Sequence, residues 1–224
     1  MFSRLLKYIS CFPLLLLPLC ALAELKNGHY FQAISADKST IRTLWYQLGN
    51  EKQTISATYT LRSVDYEYAK GETITFYGER VDANGQPLPE AIATIPAGAT
   101  RLLLRFTKLP TPDEYGLSYN IAVFEDDSKT FPFGSFHFVN ATSKDVNINL
   151  GEKPFQLKRG AAKNIAMQPP EKGDVSIEIT AMGSDSRYTN GWGHHANLRT
   201  LVFIVDAPNG RIKPLRYRQT EPKQ

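Results

Sequence analysis

The sequence predicts an all-β protein built from antiparallel, immunoglobulin-like β-sandwiches, two of them in tandem. Three observations support this prediction. Short runs alternate apolar and polar residues, which places one set of side chains on each face of a pleated strand. Gly, Pro, Asn and Ser close these runs about every ten residues, as turns do in sandwiches. No segment keeps the spacing of an amphipathic helix over a helix's length.

The alternation is clearest between residues 131 and 167. Phe136 and Phe138 fall on one face of a predicted strand. In the run 146–150, Val, Ile and Leu alternate with two asparagines. An apolar face opposite a polar one is typical of an antiparallel sheet with one side in water.

Up to residue 124, turn residues separate seven predicted strands. They cover residues 31–35, 41–48, 54–61, 73–77, 91–95, 101–109 and 119–124. In the run 54–61, the residues predicted to share the apolar face are Ile55, Ala57, Tyr59 and Leu61. Aromatic and β-branched residues are frequent in these runs, as expected for strands.

Beyond residue 167, three further strands are predicted, at 175–180, 198–206 and 215–218, with a long irregular loop over 188–197. The run 201–205 is apolar without interruption, which indicates a central strand covered on both faces. Leu215 and Tyr217 alternate with arginines, which indicates a final edge strand. Lys and Arg commonly protect such an edge from pairing with other chains.

The domain boundary is predicted at Pro110–Pro112, because two prolines in three residues stiffen the backbone and remove hydrogen-bond donors from a sheet. This gives an N-terminal sandwich over 24–112 and a C-terminal one over 113–220. The alternative is one larger sandwich with a shared sheet. No sequence repeat between the halves decides between the two.

The first 23 residues have the pattern of a secretory signal peptide. Arg4 and Lys7 precede an apolar run over 9–19, and Ala21-Leu22-Ala23 ends it. We expect cleavage after Ala23 and a periplasmic or secreted protein. The alternative is an uncleaved anchor, but the run is short for crossing a bilayer, and no second run is long enough to cross one.

Both cysteines, Cys11 and Cys20, lie in this leader, so the predicted mature protein has none. That excludes disulfides, thiol nucleophiles and cysteine metal ligands from the mature protein. Loss of Arg4 and Lys7 lowers the net charge from +4 to +2. A net charge this small argues against nucleic acid as a partner, because binding to nucleic acid requires a dense basic face.

The segment 188–197 holds the candidate ligand-binding residues, which are Tyr188, Trp192, His194 and His195. Aromatic residues on a long loop can stack on sugars or peptides. The alternative is that Trp192 caps the sandwich core while both histidines face solvent. Zinc needs three or four ligands, and no other histidine has ligand spacing to this pair, so we predict no metal site.

Catalytic motifs are absent from the sequence. It contains no Gly-x-Ser-x-Gly elbow, no His-Glu-x-x-His and no phosphate-binding loop. We therefore predict that the protein is not an enzyme and uses no cofactor.

The C-terminal half also resembles a group of exported bacterial proteins of unassigned activity, seen in planctomycete- and verrucomicrobia-like genomes. The resemblance lies in the Phe-Pro-Phe-Gly-Ser segment at 131–135, in Asn140-Ala-Thr142, and in Trp192 followed by the strand at 199–203. It implies an exported β-rich protein and brings no catalytic residue.

Together these observations predict a non-enzymatic protein of the cell envelope that acts through protein–protein contacts. The alternative is a carbohydrate- or peptide-binding module that uses the segment 188–197. An envelope protein or a cell-wall glycan is the expected partner.

Overall fold

The computed structural model describes residues 28–168 and 173–221, and it confirms the all-β prediction. Sixteen strands form four sheets of four strands each, and the described part of the chain contains no helix. It therefore has no helix long and apolar enough to cross a membrane. The predicted signal peptide and both cysteines lie outside the described residues.

The first sandwich contains eight strands. They are β1 (Tyr30–Ser35), β2 (Trp45–Leu48), β3 (Glu51–Thr54), β4 (Tyr66–Glu67), β5 (Thr73–Val81), β6 (Pro87–Thr94), β7 (Arg101–Lys108) and β8 (Tyr119–Glu125). Its outer sheet has the order β3-β2-β5-β6, and its inner sheet has the order β4-β1-β7-β8.

The second sandwich contains the other eight strands. They are β9 (Ser135–Asn140), β10 (Val146–Leu150), β11 (Lys153–Leu157), β12 (Ala162–Ala166), β13 (Asp174–Ala181), β14 (Arg187–Gly193), β15 (Leu198–Asp206) and β16 (Ile212–Thr220). Its outer sheet has the order β11-β10-β13-β14, and its inner sheet has the order β12-β9-β15-β16.

The two sandwiches have the same topology. Adding eight to each strand number of the first gives both sheet orders of the second. Each inner sheet also contains one parallel pair, β1 with β7 and β9 with β15. All other pairs of neighbouring strands in the described sheets are antiparallel, as predicted. Alternation shows which side chains share a face but not the direction of the neighbouring strand.

The turn after the second strand shows the repeat at residue level. Leu48 pairs with Glu51 around Gly49, and Leu150 pairs with Lys153 around Gly151. The two glycines have φ angles of 59° and 58°. A glycine with positive φ at the first central position is the requirement of a type II′ hairpin turn. The chain thus repeats the turn chemistry while the strands around it differ in sequence.

Each sandwich encloses its own apolar core. The first core includes Phe31, Tyr46, Phe76 and Phe106. The second includes Phe136 and Phe138, as the alternation predicts. In β10 the apolar residues are buried and both asparagines are exposed, which confirms the predicted faces.

The inner sheets of the two sandwiches pack face to face and form a third apolar cluster. We call this contact the junction. Its buried members are Ile34, Leu103, Phe131, Val139, Leu201, Phe203, Leu215 and Tyr217. Along β15 the side chains point alternately to the junction and to the second core, where Val202 and Ile204 lie. The prediction that this strand is covered on both faces is confirmed.

The predicted domain boundary needs correction. Pro110 and Pro112 lie in the connection between β7 and β8, and these two strands pair with each other in the first inner sheet. The chain changes sandwich between Glu125 and Ser135 instead. The prolines end a strand, which their missing donors explain equally well.

Two local predictions are also corrected. In the run 54–61 only Thr54 belongs to a strand, and Ala57 forms an isolated bridge to Ile41. Ile55 and Ala57 are buried, whereas Leu61 is 70% exposed. The segment 188–197, predicted as a loop, begins with most of strand β14.

Candidate functional site

A cleft of about 810 Å³ opens at one end of the second sandwich, between its inner and outer sheets. We call it the end cleft. The β10–β11 turn, the last residues of β12 and the first residues of β13 form its walls. Its apolar lining includes Phe133, Ala166, Met167, Val175 and Ala196. A large concave site with mostly apolar walls is typical of a binding site.

The two repeats differ at one equivalent position that lines this end. Tyr68 and Met167 occupy equivalent positions, because each follows the fourth strand of its repeat. The Tyr68 amide donates to the His29 carbonyl, and the Met167 amide donates to the Gly134 carbonyl. The strand register agrees as well. Phe31 pairs with Tyr66 and Phe136 pairs with Ile165, and Tyr68 and Met167 each lie two residues after the second member of their pair.

The side chains at these equivalent positions differ in size and burial. The Tyr68 ring is buried in the first core, and its hydroxyl donates to the Ala99 carbonyl at 3.1 Å. Met167 is only half-buried and lines the end cleft. At the matching end of the first sandwich, Tyr68 lines two smaller cavities of about 340 and 240 Å³. The repeat with the buried tyrosine therefore has smaller cavities at this end than the repeat with the methionine.

The rim of the end cleft carries charge of both signs. Glu152, Lys153 and Asp174 line it. The Lys153 ammonium donates to the Ala166 carbonyl at 2.8 Å, which connects the edges of the two sheets. The carboxylates of Glu152 and Asp174 thus leave the rim with an excess of negative charge.

Gly151 permits the close packing of this rim. A Cβ atom built at Gly151 would lie 2.8 Å from Cε of Met167, closer than real contacts allow. The positive φ of the type II′ turn and this contact both favour glycine. Met167 therefore lies directly against the turn.

The two histidines of the predicted site have different surroundings. His194 is fully buried, its ring lies 4.7 Å from the Phe136 ring, and its Nε2 is 3.2 Å from the Met167 carbonyl oxygen. His195 is exposed, near Gly173. The alternative that both histidines face solvent is correct only for His195. Among the described residues, no group of three His, Cys, Asp or Glu side chains is placed to hold a metal.

Trp192 is a core residue. Its ring is 1% exposed and packs against Phe136 and Phe138 at centroid distances of 6.1 and 6.3 Å. Its Nε1 donates to the Tyr188 hydroxyl at 3.2 Å, and the Arg216 guanidinium covers its outer side at 4.9 Å. This arrangement leaves no free face of Trp192 for stacking on a sugar.

The structure therefore brings His194 and Trp192 together beneath the end cleft, in the layer that supports it. Sequence reasoning missed the residues that line the cleft, above all Phe133, Gly151 and Met167. One signal was present, namely the Leu-Gly turn that occurs at both 48–49 and 150–151. The equivalence of Tyr68 and Met167 itself follows from strand pairing, because the spacing from this turn differs between the halves.

Comparisons with known proteins add little to this description. No protein-family model matches the sequence, and no curated protein matches it. Among solved structures, the chain is similar to one described as "a putative cell adhesion protein" from Bacteroides ovatus ATCC 8483. The alignment covers 87% of this chain and 98% of that chain at 7% identity, with a TM-score of 0.23. A similarity at this score extends to neither fold nor function.

Proposed function

We propose that the protein is a non-enzymatic binding protein of the cell envelope that holds an apolar side chain of a partner protein in the end cleft. One observation carries this proposal. The end that Tyr68 fills in the first sandwich is open in the second, beside Met167. Both sandwiches have the same strand order, so the larger cleft is a feature of the second repeat's sequence and not of the topology.

The lining and the rim indicate the kind of partner. Phe133, Met167 and Val175 offer apolar surface, and methionine adapts its shape to different occupants. Glu152 and Asp174 on the rim favour positive charge next to the apolar group. We therefore propose that the partner presents a peptide segment with an aliphatic side chain flanked by Lys or Arg.

The same contacts argue for a protein partner over a glycan. Sugar binding commonly uses an exposed aromatic face. Trp192 is buried, and Phe133, the aromatic residue in the cleft lining, lies 5.0 Å from the Arg199 guanidinium. The geometry favours an apolar anchor and offers no open stacking platform in this part of the chain.

Met167→Tyr tests the proposal by placing in the cleft the side chain that the first sandwich has at the equivalent position. The probe is a fluorescein-labelled pentapeptide with a leucine between lysines, titrated into residues 24–224 and followed by fluorescence anisotropy. We expect saturable binding, and we expect Met167→Tyr to weaken it at least about tenfold, equivalent to about 1.4 kcal/mol.

Two controls make the result specific. Met182→Tyr introduces the same change at a methionine that is 43% exposed in the β13–β14 turn, outside the cleft, and it should leave binding unchanged. A peptide with glutamates in place of the lysines should bind more weakly than the lysine peptide. Absence of saturable binding, or equal affinity of Met167→Tyr and wild type, would contradict the proposed function.

A further inference from the structure

Two arginines at the junction share one buried carboxylate. Asp126 lies in the connection between the sandwiches, and its Oδ2 is 2.6 Å from Arg62 Nη1 and 3.1 Å from Arg199 Nη2. The side chains of Asp126 and Arg199 are each 2% exposed, and that of Arg62 is 6% exposed. The group therefore holds two positive charges for one negative charge, away from water.

Arg199 is well supplied with acceptors. Its guanidinium donates to the carbonyls of Phe131 and Asp126 at 2.8 and 2.7 Å, and to Gln219 Oε1 at 3.0 Å and 2.7 Å. Burial lowers the pKa of Arg199, and the charge of Asp126 opposes that effect. The Arg199–Asp126 pair is thus complete as a structural element.

Arg62, in contrast, lacks acceptors for two of its nitrogen atoms. Its Nη1 contacts Asp126, Gln32 and Gln219, but its Nε and Nη2 are buried and have no hydrogen-bond partner among the described residues. A buried guanidinium with two unused N–H groups is costly, because it has lost water and gained no acceptor for them. The two N–H groups can donate to a further acceptor, and a negatively charged one would also offset the excess positive charge of this group.

Arg62 also lines a groove of about 330 Å³ at the junction, which we call the junction groove. Thr60 and Leu61 continue its wall on the first sandwich, and residues 216–218 of β16 form the wall on the second. Because β16 is an edge strand, alternate N–H groups on its outer side are left without a neighbouring strand.

The two arginines of β16 contribute differently to the groove. The Arg216 guanidinium lies over Trp192, so it covers the second core. Arg218 is exposed beside the groove. The Tyr217 hydroxyl donates to the Tyr59 carbonyl at 2.7 Å, and burial raises the pKa of Tyr217 to about 12, so the phenol adds no negative charge.

We propose that the junction groove binds a tetrahedral oxyanion of the phosphate or sulfate class, held by the free N–H groups of Arg62, with Arg218 and Thr60 at the rim. The planar guanidinium fork matches two oxygens of such an anion. A dianion also balances two positive charges. One is the charge that Asp126 leaves unpaired on Arg62, and the other is that of Arg218. This site is separate from the end cleft and does not depend on the proposed function.

Isothermal titration calorimetry on residues 24–224 tests this site, with inorganic phosphate and sulfate as probes in chloride buffer at constant ionic strength. We expect saturable heat from at least one of the two anions. Arg218→Gln should weaken binding at least about threefold, and Arg62→Gln should abolish it. Arg211→Gln, which removes an exposed arginine just before β16, should bind as the wild type does.

A second experiment with lipid vesicles distinguishes the source of the anion. Flotation with phosphatidylcholine vesicles containing phosphatidic acid, lost in Arg218→Gln, would assign a lipid headgroup. Phosphate binding without flotation would assign a soluble anion. The proposal is overturned if neither anion gives saturable heat with the wild type, or if Arg218→Gln and a folded Arg62→Gln bind as tightly as Arg211→Gln.

Discussion

Asp126→Asn is expected to lower the free energy of unfolding by about 3–5 kcal/mol, because removing one partner of a buried ion pair leaves an uncompensated charge. Here the effect falls on two guanidinium groups, Arg62 and Arg199, which share that carboxylate. The substitution keeps the size of the side chain and removes its charge. Urea unfolding followed by circular dichroism measures the loss.

Asp65→Asn is the matched control for this substitution. Asp65 pairs with Arg101, which is the first-repeat equivalent of Arg199. Leu102 pairs with Phe31 and Thr200 pairs with Phe136, so each arginine directly precedes the partner of an equivalent phenylalanine. Asp65 is 41% and Arg101 28% exposed, so the expected loss is about 0.2–1 kcal/mol. Equal small losses in both variants would contradict the burial of the junction charges.

Trp192→Ala is expected to cost about 3–5 kcal/mol, the range for removing a large aromatic side chain from a core. The indole packs on Phe136 and Phe138 and donates to Tyr188, and all of these contacts are lost together. A cavity would remain beneath the end cleft. Urea unfolding measures the stability, and near-ultraviolet circular dichroism reports the packing of the remaining aromatic residues.

Trp45→Ala is the control, because it deletes the same side chain from the outer face of the first sandwich. Trp45 is half-buried, stacks on Tyr77 at 4.8 Å and lies under the Lys52 ammonium. The aromatic pair contributes about 0.5–1.5 kcal/mol beyond its buried area, and the indole also donates to the Gly78 carbonyl at 3.2 Å, so we expect a loss that is measurable but smaller than at Trp192. If Trp192→Ala were as mild as Trp45→Ala, Trp192 would be a surface residue and the stacking hypothesis would regain support.

Local patterns in the sequence predict the faces of single strands well. The alternation in β10 and the unbroken run in β15 each show which side chains are buried, because burial is a property of one strand and its two faces. Around Phe136 the alternation identifies the face toward the second core, but the opposite face of β9 is covered too, at the junction. The parallel pairs, the boundary after Glu125 and the repeated topology depend on which strands become neighbours. Contacts between residues that are far apart in the chain determine which strands pair.

The candidate site shows the same limit. Trp192, His194 and His195 are unusual residues in a segment rich in glycine, and their types suggest a surface loop. Strand pairing with β13 instead turns Trp192 into the core and leaves His195 outside. The end cleft is lined by a methionine at the position where the other repeat has a tyrosine, a difference that becomes visible once the two sandwiches are aligned by structure.

The most direct test of this account is whether the two sandwiches unfold as one unit. The chain has one tryptophan in each sandwich, Trp45 in β2 and Trp192 in β14. Trp45→Phe and Trp192→Phe therefore each leave a single fluorescent reporter, and the wild type followed by circular dichroism gives the reference. The apolar cluster and the buried ion pairs of the junction predict one cooperative transition, so that within each variant fluorescence and circular dichroism give the same midpoint in urea. Two separated transitions, one for each tryptophan, would contradict the face-to-face packing of the inner sheets.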